Sequence, residues 1–115
     1  MKLINQKIRK ELEKYPLYSQ DGKKKDAVAV CKFFMCAGAW TWYIMEADMD
    51  IGCLYGITIN GEGGAEYGYL DLNELQNLKT SKGLRVERDI TFVPCELGKI
   101  RDSYLQDFLN RLYDE

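Results

Sequence analysis

The stretch TWYIMEADMDIGCLYGITINGEGGAEYGYLDL, residues 41–72, decides what kind of domain this chain forms. Three runs in and around it, Trp40 to Ala47, Cys53 to Ile59 and Glu66 to Leu70, are rich in β-branched, aromatic and sulfur-bearing residues, which favour a pleated, half-buried backbone. The last two are separated by Asn60-Gly61-Glu62-Gly63-Gly64, whose glycines supply the positive φ angles of a tight reversal. Upstream, Ala27 to Met35 has the same character and is joined to Trp40 by Cys36-Ala37-Gly38-Ala39, so a hairpin is expected there. Strands this close in sequence pair antiparallel, because a parallel pair needs a long crossover.

Helical periodicity flanks this meander. Ile4, Ile8 and Leu12 recur every four residues in 2–14 and make one apolar stripe, ended by Pro16. PLYSQDGKKKD then reads as a loop that turns at Asp21-Gly22. In DLNELQNLKTSKG, Asp71 and Glu74 have the spacing of a capping box, Leu72, Leu75 and Leu78 give an apolar side, and Gly83 is the expected stop. Residues 84–93 alternate, with Leu84, Val86, Ile90 and Phe92 on one side, which predicts a fifth, half-buried strand with Arg88 intruding on the apolar face. Leu97, Ile100, Tyr104, Leu105, Phe108, Leu109 and Leu112 predict a C-terminal amphipathic helix. The expected architecture is a single α+β domain over 1–115. It has an antiparallel sheet of about five strands, a four-strand meander plus one later strand, and N-terminal, middle and C-terminal helices mainly on one face. The other face is expected to be open.

Charge is unevenly spread. Residues 1–32 carry nine Lys or Arg against four acids, whereas residues 33–78 carry seven acids and no basic residue. The overall balance of −2 excludes a generally basic nucleic-acid coat. No apolar run is long enough to span a bilayer, and the charged N-terminus has no signal-peptide core, so a cytoplasmic protein without membrane attachment is expected. Cys31, Cys36, Cys53 and Cys95 are then expected to be reduced and buried.

The chemistry available is narrow. With no histidine, Ser/His and Cys/His nucleophile activation is excluded, and no phosphate-binding glycine motif is present. The cysteines include no pair separated by two residues, which argues against a structural zinc site. Glu46, Asp48 and Asp50 alternate along an extended run and would project to one side, a hard-cation or acid/base arrangement if Glu62 or Glu66 joined them, or simply the solvated end of a strand. Arg88 requires water or a carboxylate, and Glu46 and Glu66 are the candidate partners, so it reads as a structural ion pair or an anion-binding group. Because strand neighbours alternate, Trp42 and Tyr43 are not both expected in the core. One is expected outside with Tyr67 or Tyr69, although cross-strand packing explains these rings equally well.

Taken in order, PLYSQDGKKKDAVAVCKFF, TWYIMEAD, EYGYLDLNEL and GLRVERDITF followed by Pro94 make the chain resemble an uncharacterised family of small bacterial proteins, a domain of unknown function carried by conjugative plasmids, integrative elements and phages. The resemblance runs from about Leu3 to about Ile100 and rests on segments holding Tyr18, Trp42, Tyr43, Glu46, Glu66, Gly68, Tyr69, Glu87, Arg88 and Asp89. It departs from the family in the helix past Ile100 and the glycine-rich loop 60–64. It implies neither an activity nor a cofactor, and the expected cofactor is none. Small proteins of mobile elements often act on host defence, so the first expectation is a non-enzymatic binding or inhibitory protein. Its acidic, aromatic sheet face (Tyr18, Trp42, Tyr43, Glu46, Asp48, Asp50, Glu66, Tyr67, Tyr69 and Arg88) would meet a basic groove on a protein that handles nucleic acid. Two alternatives stand beside it. One is a small-ligand or divalent-metal enzyme built on Glu46, Glu66 and Arg88. The other is a DNA-binding accessory protein using Lys7, Arg9, Lys10, Lys14 and Lys23 to Lys25.

Overall fold

The computed structural model describes residues 1–114 as an α+β domain in which helices cover both faces of one sheet. Helix α1 (Gln6–Leu12) is shorter than its apolar stripe, because Asn5 caps it by accepting the Ile8 N–H. A short strand β1 (Val28–Ala29) precedes β2 (Cys31–Met35). A turn over Cys36–Ala39 leads into the long β3 (Trp40–Asp48), followed by β4 (Cys53–Ile59) and β5 (Ala65–Asp71). Asp71 caps α2 (Leu72–Asn77) through the Glu74 N–H at 3.2 Å. Strands β6 (Glu87–Arg88) and β7 (Cys95–Glu96) follow, and Asp102 caps α3 (Ser103–Tyr113). The main sheet runs β5-β4-β3-β2-β6, all antiparallel, while β1 pairs with β7 in a separate two-stranded ribbon.

The meander expected from the sequence is therefore present, but the open face is not. On one side of the sheet Phe33, Trp42, Ile44 and Leu54 pack under α1 and α2, through Leu12 and Leu75. On the other, Tyr43, Met45, Ile57 and Ile59 pack under α3, through Leu105, Phe108 and Leu109. Trp42 and Tyr43 do alternate faces, yet both are interior, because each face has its own core. The reading that put one of them outside assumed a single core, and α3 overturns it.

The later strand is also shorter than its alternation suggests. Only Val86 of the apolar set in 84–93 is buried, and Ile90 is 75% exposed. Thr80 accepts the Gly83 and Leu84 N–H groups to form a turn, and Asp89 Oδ1 accepts from Thr91, so the chain is extended against β2 only at Glu87 and Arg88. Of the cysteines, all free, Cys31 alone is buried. Cys53 and Cys95 are half-buried and Cys36 is exposed, correcting the expectation of four buried thiols.

A β-bulge in β3 positions everything that follows. Ile44 pairs with Gly56 and Glu46 with Tyr55, so Met45 is the extra residue. The bulge brings the Tyr43 carbonyl against Gly56, where a Cβ would run into it. It also turns Glu46 onto the α3 side of the sheet, in register with Tyr55.

Candidate partner surface

Glu46 was expected on an exposed acidic face, but it is 2% exposed. Its carboxylate is fully engaged by the loop before β1: Oε1 accepts the Tyr18 N–H and Oε2 the Gln20 N–H, both at 2.8 Å. Charge-assisted bonds of this kind compensate the desolvation of a buried carboxylate. Gln20 completes the joint. Its Nε2 donates to the carbonyls of Val28 and of the bulged Met45, both at 2.9 Å, and its Oε1 accepts the Val28 N–H at 2.6 Å. Every hydrogen-bonding group of Glu46 and Gln20 thus fixes loop 17–21 across the bulge, and the loop in turn holds Tyr18 out in solvent with a left-handed backbone, φ +74°.

Tyr18 lies beside a row of three sheet tyrosines. Tyr55 stacks on Tyr67 at 6.0 Å and meets Tyr69 at 4.9 Å and 52°. Tyr67 leans on Phe108 of α3 at 5.6 Å, and its hydroxyl lies 2.8 Å from that of Tyr113. Tyr18 and Tyr69 are 64% and 54% exposed, whereas Tyr55 and Tyr67 are half-buried between them and α3. The neighbouring Tyr18 hydroxyl, then partial burial and the charges around it, push Tyr69 up to about 12. Burial first, then Glu46 and Asp21, raises Tyr55. Burial, followed by the bond to Tyr113, raises Tyr67 further. The charged side chains acting on Tyr55 and Tyr69 are all acidic.

The remaining predicted site residues are dispersed. Trp42 stacks inside on Trp40, ring centroids 6.0 Å apart. Tyr43 is fully buried and donates to Asp102 Oδ2 at 2.7 Å, and burial, then that bond, raises its pKa. Asp48 is half-buried at the end of β3, where its Oδ1 accepts the N–H of Asp50, which stands exposed in the following turn. This is the solvated strand end. Glu66 is exposed on β5 and in register with Thr58, on the face opposite the tyrosines.

Among the described residues Arg88 pairs with no carboxylate. Its Nη1 donates to the carbonyls of Lys2 at 2.7 Å and Leu3 at 3.2 Å, tying the N-terminal segment to the sheet edge. Arg88 and Glu66 lie on the two opposite edge strands, separated by about 19 Å at the usual ~4.8 Å per strand. Glu46, Glu66 and Arg88 therefore do not converge, and the ion pair and the three-residue enzyme site read from the sequence both fall. Of the basic arm, Lys7, Arg9, Lys10, Lys14, Lys23 and Lys24 are exposed. Lys25 is held by Asp114 at 2.6 Å and Asn110 at 2.8 Å. Among the described residues no helix is long and apolar enough to cross a membrane.

A family model matches residues 3–99, leaving out the first two residues and the C-terminal segment that holds α3. The chain belongs to the family described as protein of unknown function (DUF2958). No curated protein and no solved structure matches it. The DUF2958 segment holds the whole bulge joint, Glu46 and Gln20 included, together with Tyr18, Tyr55, Tyr67 and Tyr69. The helix that covers the neighbouring sheet face lies beyond it.

Two members of this site escaped sequence reasoning. Gln20 sits in a polar loop, and no periodicity distinguishes it from an exposed turn residue. Tyr55 alternates in phase with Ile57 and Ile59 on β4 and so reads as a core residue, and its place beside Tyr67 and Tyr69 appears only in the β4–β5 register.

Proposed function

We propose that this chain is a non-enzymatic binding protein whose contact surface is the tyrosine cluster of Tyr18, Tyr55, Tyr67 and Tyr69, rimmed by acidic residues. The supporting observation is that four tyrosines from three separate segments gather at the margin of α3, where Tyr18 and Tyr69 stand exposed and Tyr55 and Tyr67 are half-buried, with Asp21 and the buried Glu46 as the nearest charges. Tyrosine offers large contact area at low entropic cost and is enriched at interface hot spots. The segment that carries three of the four holds no Lys or Arg, so the complementary partner is a protein with a basic surface. The nucleic-acid-binding groove of a host defence protein has that chemistry. A small protein of a mobile genetic element would act by occupying it, as an inhibitor.

The test is affinity capture from a bacterial lysate, with the wild-type chain and a Tyr18→Ala, Tyr69→Ala double variant side by side. Truncating two exposed hot-spot tyrosines costs about 2 kcal/mol each. The wild type should retain a salt-sensitive partner that the variant loses while its thermal midpoint stays put. Equal capture by both sinks the reading. A competing reading, a DNA-binding accessory protein, draws on the exposed Lys7, Arg9 and Lys10 of α1, and predicts salt-sensitive duplex binding that Lys7→Glu, Lys10→Glu removes.

A further inference from the structure

Among the described residues, strand β5 is an edge strand with no further strand on its outer side. It pairs only with β4, and none of its seven residues is buried, whereas four of the seven in β4 are. Among the described residues, no backbone group outside β4 bonds to Glu66 through Leu70. In an antiparallel edge strand the N–H and C=O groups of alternate residues then face solvent as a row of donors and acceptors. Proteins blunt such edges with charged side chains, above all lysine, with proline, with bulges or with very short strands, and the strand AEYGYLD has only the charges of Glu66 and Asp71. The opposite edge differs: β6 has two residues, and the N-terminal segment lies over it through Arg88.

We infer that β5 accepts an extended, basic segment of the protein partner as a sixth strand, with the tyrosine cluster gripping one side of that segment. This rests on the surface reading above and specifies how the partner is held. The two faces of β5 differ in chemistry. Tyr67 and Tyr69 project to one side, Glu66 and the side-chain-free Gly68 to the other, and a Cβ at Gly68 would meet nothing within 4 Å. Alternate side chains of an incoming strand would meet tyrosine rings on one face and the Glu66 carboxylate on the other. Charge selects the occupant. A second copy pairing antiparallel about Gly68 would set Glu66 opposite Leu70 and Asp71 opposite Ala65 and bring no cation to either carboxylate, whereas a segment bearing Lys or Arg neutralises them. The carboxylates therefore favour a basic strand over a second copy.

The probe is a synthetic peptide alternating Arg and Val, long enough to span Ala65–Asp71, with an alternating Glu and Val peptide as control and a third peptide N-methylated on the backbone amides of one edge. Amide hydrogen exchange on the whole chain at low ionic strength should show alternate β5 amides slowed about tenfold by the Arg peptide. The Glu peptide should have no effect, and N-methylation should weaken binding about tenfold or more, which is ~1.4 kcal/mol. If the Arg peptide binds, loses affinity in Tyr18→Ala, Tyr69→Ala, and yet tolerates N-methylation with β5 exchange unchanged, the tyrosine surface stands and the added strand is refuted. If the Arg peptide does not bind, or if the chain alone dimerises with β5 protected, the inference is overturned.

Discussion

Replacing Glu46 by Ala removes the carboxylate oxygens that accept the Tyr18 and Gln20 N–H groups. A hydrogen bond to a charged group contributes about 1.5–3 kcal/mol, and a buried donor left without a partner costs a similar amount. Two such bonds at a site 2% exposed put the loss at about 3–5 kcal/mol, a large part of the ~5–15 kcal/mol that holds a domain folded. At roughly 4 °C per kcal/mol for a chain of this size, the thermal midpoint drops by about 12 °C or more. Glu46→Gln keeps one acceptor but turns an amide NH2 toward the second donor, so it should lose about half as much. Urea titration followed by tryptophan fluorescence separates stability from compactness, since the midpoint should fall while the slope is retained. Even where Glu46→Gln remains folded, loop 17–21 is held by one bond fewer, and partner capture should weaken because Tyr18 is less firmly placed. A Glu46→Ala midpoint within about 2 °C of the parent would refute the assignment of Glu46 as the anchor of this loop.

Three further outcomes follow from the same contacts. Gly56→Ala drives a Cβ into the Tyr43 carbonyl at the bulge and should cost about 3 kcal/mol or more, whereas Gly68→Ala, directly across the ladder and in open space, should leave the urea midpoint nearly unchanged; equal effects would contradict the bulge. In the native state a maleimide should label the exposed Cys36 first and Cys31 last, because burial pushes the Cys31 thiol up to about 12 although Arg88 works against it; early modification of Cys31, read by peptide mass mapping, would count against a closed core. The Thr91 hydroxyl, then its backbone N–H and Lys32, hold Asp89 below its ordinary value of 3.8, so its stabilisation is present above that value and is lost as pH falls through the lower folded value; Asp89→Asn should flatten the acid limb of the stability profile.

The strands of the meander were legible because β-branched and aromatic residues cluster between glycine-rich reversals, and those are local signals. The sidedness was not. An amphipathic helix such as α3 reports that it packs on something, but its periodicity carries no information about which face of the sheet it covers. Placing the helices mainly on one face left a false open surface, and with it the expected exposure of one of Trp42 and Tyr43 and of Glu46. The reading of 84–93 failed for a related reason. Alternation predicts sidedness only where a neighbouring strand enforces it, and here turns at Thr80–Leu84 and Asp89–Thr91 leave just two residues paired.

The acidic, aromatic character read from the sequence nevertheless survives in a different place, and the bulge explains how. Had β3 run without its extra residue, Glu46 would have faced α1 and α2 with Trp42 and Ile44. Loop 17–21 would then have had no buried carboxylate to fold onto. One inserted residue moves Glu46 to the face that carries Tyr55, Tyr67 and Tyr69, and its two hydrogen bonds bring Tyr18 to the same place. The charge expected at the surface is thus spent inside, on arranging the rings. The exposed acids Asp21 and Asp71 remain beside the rings and Glu66 stands on the other face of β5, so the cluster is aromatic at its centre with acidic residues at its margin.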